Sequence, residues 1–170
     1  RSVLVKEADR MIAAKTRVEY YENLRIIAAY MDDSHVFAAI DKYQVWSYGF
    51  NTWMTFPIVP KILNDTVYVK GVAKRDYLRE VNPGDVITHI NGVDIKTYLK
   101  QKEETICASN PYDRIRKLEW KILPAYNHPD LGDSIMTVTI KGKTIPLRAE
   151  VVCHTNFNDF ISFPRSEERR

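Results

Sequence analysis

Residues 82–95 read N-P-G-D-V-I-T-H-I-N-G-V-D-I, and this stretch constrains the fold more than any other. Pro83, Gly84 and Asp85 make a tight-turn signal: proline presets φ, glycine admits positive φ, and aspartate accepts local backbone hydrogen bonds. Val86 to Ile90 is a short run of strong strand formers. Asn91-Gly92 then stands between apolar residues, the preferred sequence of a two-residue hairpin turn, and Val93 to Ile95 supplies the returning strand. The chain is expected to place a β-hairpin here and to build a sheet around it.

The flanking segments are read against that hairpin. Residues 5–31 contain few breakers, and Ala8, Met11, Ile12, Lys15, Leu24, Ile27, Ala28 and Met31 recur at mostly helical intervals. Two helices, or one bent near residues 16–21, would bury that stripe and leave Lys6, Arg10, Arg17 and Glu22 in water. Asp32, Asp33 and Ser34 compete with helical hydrogen bonds and should stop the helix, with His35 just beyond and residues 36–40 entering a strand or a buried turn. Tyr43, Trp46, Tyr48, Phe50 and Trp53 crowd the next segment. Their rings suit either a peptide groove or the joint between helical and sheet parts.

Residues 54–60 alternate enough for a strand in which Pro57 marks an edge or bulge. Asn64-Asp65 makes a turn into a strand over 66–70, and residues 71–80 form a short connection with a solvent face around Tyr77 and Leu78. After the central hairpin, a helix is expected over 98–108. Asn110, Pro111 and Asp113 supply the cap, first position and acidic first turn of another helix, with Ile115, Leu118 and Ile122 buried and Pro124 ending it. Residues 134–140 and 143–152 read as a second hairpin about Lys141-Gly142-Lys143, with Met136, Val138 and Ile140 on one face. Beyond residue 154 the pattern weakens into a linker with a charged end.

Composition excludes some classes of function. The 170 residues are 45% hydrophobic, ordinary for a folded soluble chain, and the net charge of +3 comes from 25 basic and 22 acidic residues that are interspersed. Without a concentrated basic tract, nucleic acid is not an expected partner. Cys107 and Cys153 are too few for a disulfide framework, and free thiols or one bridge both remain open. The four histidines lie far apart and neither cysteine has a close partner, so no metal site and no cofactor are expected. No apolar run is long enough to span a bilayer. Arg1 in place of methionine suggests a processed form or a fragment.

Pro83-Gly84-Asp85 followed by Val86-Ile87-Thr88-His89-Ile90-Asn91-Gly92 closely resembles the G-D-x-I-x-x-I-N-G signature of bacterial PDZ-like domains. The order around it, a helical region ending in Asp33-Ser34-His35, an aromatic stretch, a strand pair through Val67-Tyr68-Val69 and then the hairpin, resembles the front end of the C-terminal-processing (tail-specific) serine peptidases. The likeness is greatest to their tricorn-like members, which place a PDZ-like domain before a catalytic α/β core. The resemblance implies an α+β fold: an N-terminal helical region over residues 1–52, a PDZ-like, partly open β-barrel capped by helices over 53–153, and a linker or the start of the catalytic domain over 154–170. It also implies export to the cell envelope, on its periplasmic or extracellular side.

The same resemblance assigns roles. In tricorn-like peptidases a similar Ser-His pair closes the helical region, and its histidine is the base for a serine supplied by the later domain. His35 is the matching base here and Ser34 a candidate to orient its ring; imidazole suits proton exchange near neutral pH. Other members use a Ser-Lys dyad, in which case His35 is structural. Tyr48-Gly49-Phe50 echoes a carboxylate-binding loop, making Gly49, Phe50, Trp53, Met54 and Phe56 candidates for binding a peptide or an unfolded protein's C-terminus. Ser109, Ser134, Ser162 and Ser166 suit caps, turns or exposed chain rather than a nucleophile. The expectation is a non-catalytic N-terminal and PDZ-like fragment of a serine peptidase that recognises peptide or controls access to a downstream catalytic domain. The alternative is a stand-alone PDZ-like interaction or scaffold module.

Overall fold

The structure is a computed structural model that describes residues 2–36, 52–123, 134–153 and Ile161. It opens with two helices, α1 (Ser2–Ala13) and α2 (Arg17–Ala29). The break between them is a capping box: the Glu19 amide donates to Thr16 Oγ1 at 3.1 Å, and Glu19 Oε2 accepts the Thr16 amide at 3.3 Å. The buried row of α1 differs from the expected stripe. Glu7 is buried and Met11 half-buried, whereas Ile12 is 84% exposed and Met31, after α2, 65% exposed. Glu7 tolerates burial because Arg10 pairs with it at 2.9 Å. Helical spacing shows that a stripe exists, but two adjacent rows fit it almost equally well.

The sheet grows around the central hairpin. β1 (Thr52–Thr55) and β2 (Ile58–Leu63) are separate strands, because the chain breaks at Phe56 and Pro57 where one strand with an irregularity was expected. β2 pairs with β3 (Thr66–Val72) through a turn in which Asn64 and Asp65 both have positive φ. A 3-10 helix (Asp76–Leu78) leads to β4 (Val86–Ile90) and β5 (Val93–Asp94), joined by Asn91 at φ 49° and Gly92 at φ 75°. These are the positive values that a primed hairpin turn needs. Asn91 also ties the turn to the next strand: its amide donates to Thr137 O and its Oδ1 accepts the Thr137 amide, both at 2.8 Å.

β5 is shorter than expected because Asp94 caps α3 (Ile95–Glu103), accepting from Lys96 and Thr97 amides at 3.0 and 3.3 Å. The helix expected at Tyr98 therefore starts three residues earlier. α4 (Pro111–Ile122) begins as the sequence implies, with Asn110 Oδ1 accepting the Asp113 amide at 2.9 Å. Leu118 and Ile122 are buried, but Ile115 is 45% exposed. β6 (Ile135–Ile140) and β7 (Lys143–Arg148) form the second hairpin, and β8 (Glu150–Cys153) turns away to pair with β1.

All the pairings are antiparallel, in one sheet of order β2-β3-β4-β6-β7 with β5 beside β4, and a two-stranded sheet of β1 and β8. The larger sheet is open, since β2 and β7 lie at its ends rather than against each other. Among the described residues the fold is α+β, as expected, and no barrel closes. Val67, Ile87, Ile90, Val138, Leu147 and Ile122 fill the core at 0–1% exposure. Burying a side chain of this size contributes roughly 1.5–3 kcal/mol. Tyr98 closes α3 on α4 by donating its hydroxyl to Ile122 O at 3.2 Å.

Candidate functional site

The Asp32–His35 turn follows the end of α2, and it is held from below by α4 and the segment before it. Asp32 has a positive φ of 50°. Its carboxylate accepts from Arg114 at 2.8 Å. The Cys107 thiol donates to Asp33 O at 2.9 Å, and Cys107 Sγ accepts the Asp33 amide at 3.3 Å. Cys107 is thus a buried free thiol with a definite task. The Cys153 side chain lies outside the described residues.

Ser34 is engaged on three sides. Its amide donates to Ser109 Oγ, its Oγ accepts the Ser109 amide, both at 2.8 Å, and its hydroxyl donates to Asp113 Oδ2 at 2.6 Å. Lys117 completes the clamp, with Nζ 3.0 Å from Ser34 O, 2.8 Å from Cys107 O and 2.9 Å from Asp113 Oδ2. The hydrogen bond from Ser34, followed by those from Lys117 and Arg116, holds the Asp113 carboxyl well below the ordinary carboxylate range. One turn on, Lys121 donates to Thr105 O at 3.0 Å and Thr105 Oγ1 at 2.6 Å. Burial first, and then the charge of Arg25, pulls its ammonium down to about 8.

His35 stands at the top of this clamp with its side chain 95% exposed. Asp33, not Ser34, is beside the ring: Asp33 Oδ1 accepts the His35 amide at 2.9 Å and lies 3.1 Å from His35 Nδ1. Those two bonds, the backbone one first, lower the Asp33 pKa. A carboxylate at Nδ1 requires the proton to sit there, which leaves Nε2 with the free lone pair. Sequence reading placed Asp33 and Ser34 at the helix stop and His35 beyond it, but missed the contact of Asp33 with the ring and the parts that Cys107, Ser109, Arg114 and Lys117 play in holding the turn. The available signal was the Asp113-x-x-x-Lys117 spacing, which puts both side chains on one helical face.

Of the expected peptide-binding residues, Trp53, Met54 and Phe56 lie on β1 and the break just after it. Gly49 and Phe50 lie outside the described residues, as do His128 and His154. Trp53 is on β1 opposite Val152, Met54 is half-buried opposite Val151, and Phe56 is sealed in the core at 1% exposure. His89 lies on β4 with Nδ1 3.1 Å from Thr88 Oγ1. Among the described residues, no three His, Cys, Asp or Glu side chains converge as metal ligands, and no helix is long and apolar enough to cross a membrane.

No protein-family model and no curated protein matches this sequence. Solved structures that match its fold include mature CPAF complexed with lactacystin, at TM-score 0.57 and 13% identity, over 98% of this chain and 33% of that one. A serine-to-alanine mutant of CPAF matches at TM-score 0.56 and 12% identity, over 89% of this chain and 28% of that one. CPAF is a chlamydial serine protease. The chain spans a third or less of the length of these neighbours, and over that span it is similar to them in fold.

Proposed function

We propose that this chain is the non-catalytic N-terminal and PDZ-like part of a serine peptidase of the C-terminal-processing, tricorn-like kind. It would work at the cell envelope, where its PDZ-like unit recognises peptide and governs access to a catalytic domain. The observation that carries this reading is the fold match to a serine protease over 98% of the chain. The exposed His35, on a turn pinned from three directions, agrees with it. In the complete enzyme, Nε2 of His35 takes the proton of the attacking serine hydroxyl, and the Asp33 carboxylate offsets the imidazolium charge. Ser34 acts indirectly by locking the turn onto α4. The nucleophile and the oxyanion donors come from the downstream domain.

A serine-directed fluorophosphonate probe tests the class. The parent protein is expected to be labelled and this chain alone not to be. An unlabelled parent would leave the chain as a PDZ-like interaction module.

A further inference from the structure

Lys121 takes no part in the clamp on the His35 turn, although it lies on α4 one turn beyond Lys117. It is half-buried, between the Thr105 turn that follows α3 and the Glu22 and Arg25 side chains of α2. Its two hydrogen bonds have a fixed direction. Thr105 O can only accept, and the Thr105 hydroxyl gives its proton to Lys102 O at 2.9 Å, so Thr105 Oγ1 accepts as well. Lys121 Nζ therefore donates twice. An ammonium has three N–H bonds and a neutral amine two, so loss of one proton breaks neither contact and leaves the lone pair in the remaining tetrahedral direction.

The charges that act on this amine come from two further elements: Glu22 and Arg25 on α2, and Lys102 on α3. Arg25 pairs with Glu22, and Lys102 Nζ lies 5.2 Å from the centre of the Tyr98 ring. Two cations against one anion disfavour a third cation, which adds to the effect of burial in bringing the amine down to about 8. At that pH its neutral fraction is about a hundred times that of an ordinary lysine. The same surroundings select the electrophile. A half-buried amine admits a small, uncharged reagent more readily than a bulky one, and the product that suits Arg25 and Lys102 is an anion. Carbon dioxide meets both conditions.

We propose that Lys121 is a carbon dioxide-binding site, at which the side-chain amine forms a carbamate favoured by the charges of Arg25 and Lys102. The Nζ lone pair forms the N–C bond, one C=O electron pair moves onto oxygen, and one N–H proton passes to water; nothing is oxidised or reduced. The carbamate keeps one N–H for Thr105 O, and Thr105 Oγ1 keeps its bond to Lys102 O. A cation facing two cations gives way to an anion facing them, so the junction of α2 with α3 and α4 should tighten. The proposal depends on neither the peptidase reading nor peptide recognition.

Incubation of this chain with carbon-13 bicarbonate at about pH 8, followed by alkylation with triethyloxonium and peptide mass spectrometry, tests it. Lys121 should carry at least about tenfold more trapped carboxylate than the exposed Lys96 and Lys100. Arg25→Gln should lower the yield at Lys121 several-fold, because it raises the amine's proton affinity and removes a cation from beside the product. Bicarbonate should also raise the Tm of wild type relative to chloride at equal ionic strength, and should not do so for Lys121→Arg. Should circular dichroism show Lys121→Arg unfolded, Lys121→Gln takes its place. A yield at Lys121 no greater than at Lys96 and Lys100 would overturn the proposal. An unchanged yield in folded Arg25→Gln would overturn the role of that cation, and an equal Tm gain in the Lys121 variant would overturn the tightening.

Discussion

Asp33 and Ser34 are adjacent in sequence and have different tasks. Asp33 faces the His35 ring, whereas Ser34 faces down to Ser109 and Asp113. Ser34→Ala leaves the Ser109 amide without its partner and takes one donor from Asp113, which keeps Lys117 and Arg116, and should cost about 1–2 kcal/mol in denaturant unfolding. His35→Ala, at an exposed ring, should leave stability nearly unchanged; reversed magnitudes would contradict the arrangement. Asp33 also fixes which ring nitrogen carries the proton. Long-range proton–nitrogen NMR of the neutral ring should show the Nδ1–H form in wild type, and Asp33→Ala should diminish it. A predominantly Nε2–H ring in wild type would contradict the Asp33 contact. The Asp113 pKa is lowered on folding, so its contribution is present above the unfolded value of about 4 and is lost as pH falls below it. Stability should therefore decline below about pH 4 with a shallower slope in Asp113→Asn. Parallel slopes would show that Asp113 titrates normally.

At the scale of elements, the central hairpin depends on two residues with positive φ. A Cβ at Gly92 meets nothing within 4 Å, so substitution there tests conformation rather than space. Gly92→Val should destabilise by about 2 kcal/mol, because a branched side chain resists that region. An unchanged urea midpoint would rule out the primed turn. This hairpin, the β6–β7 hairpin and the Asn110 cap were legible because each is a local device written in two to four residues. Burial on exposed helices was not: the rows that face inward on α1, and the exposure of Ile115, depend on which neighbour arrives. The start of α3 was missed for a different reason. Asp94 is both a strand residue and a helix cap, and strand propensity at Val93 and Ile95 masked the second role.

The whole molecule joins a helical pair, an open antiparallel sheet and a turn that presents His35. Its α+β class and the position of His35 were implied by the resemblance that the order of local signals carries, while the contacts that hold the site were not. The clamp on residues 32–35 joins positions more than 70 apart in sequence, and neither periodicity nor capping rules encode such a contact. The sheet edges were similarly hidden. Pro57 drew the sequence reading, whereas register shows that Pro60 and Pro146 each remove an outward donor. The central claim is that this turn brings a general base to a serine supplied elsewhere in a larger peptidase. The most direct measurement is the peptide cleavage rate of the complete parent against its His35→Ala variant, with both shown equally folded. A fall of roughly two to four powers of ten is predicted, the scale for loss of a positioned base; equal rates would contradict the claim.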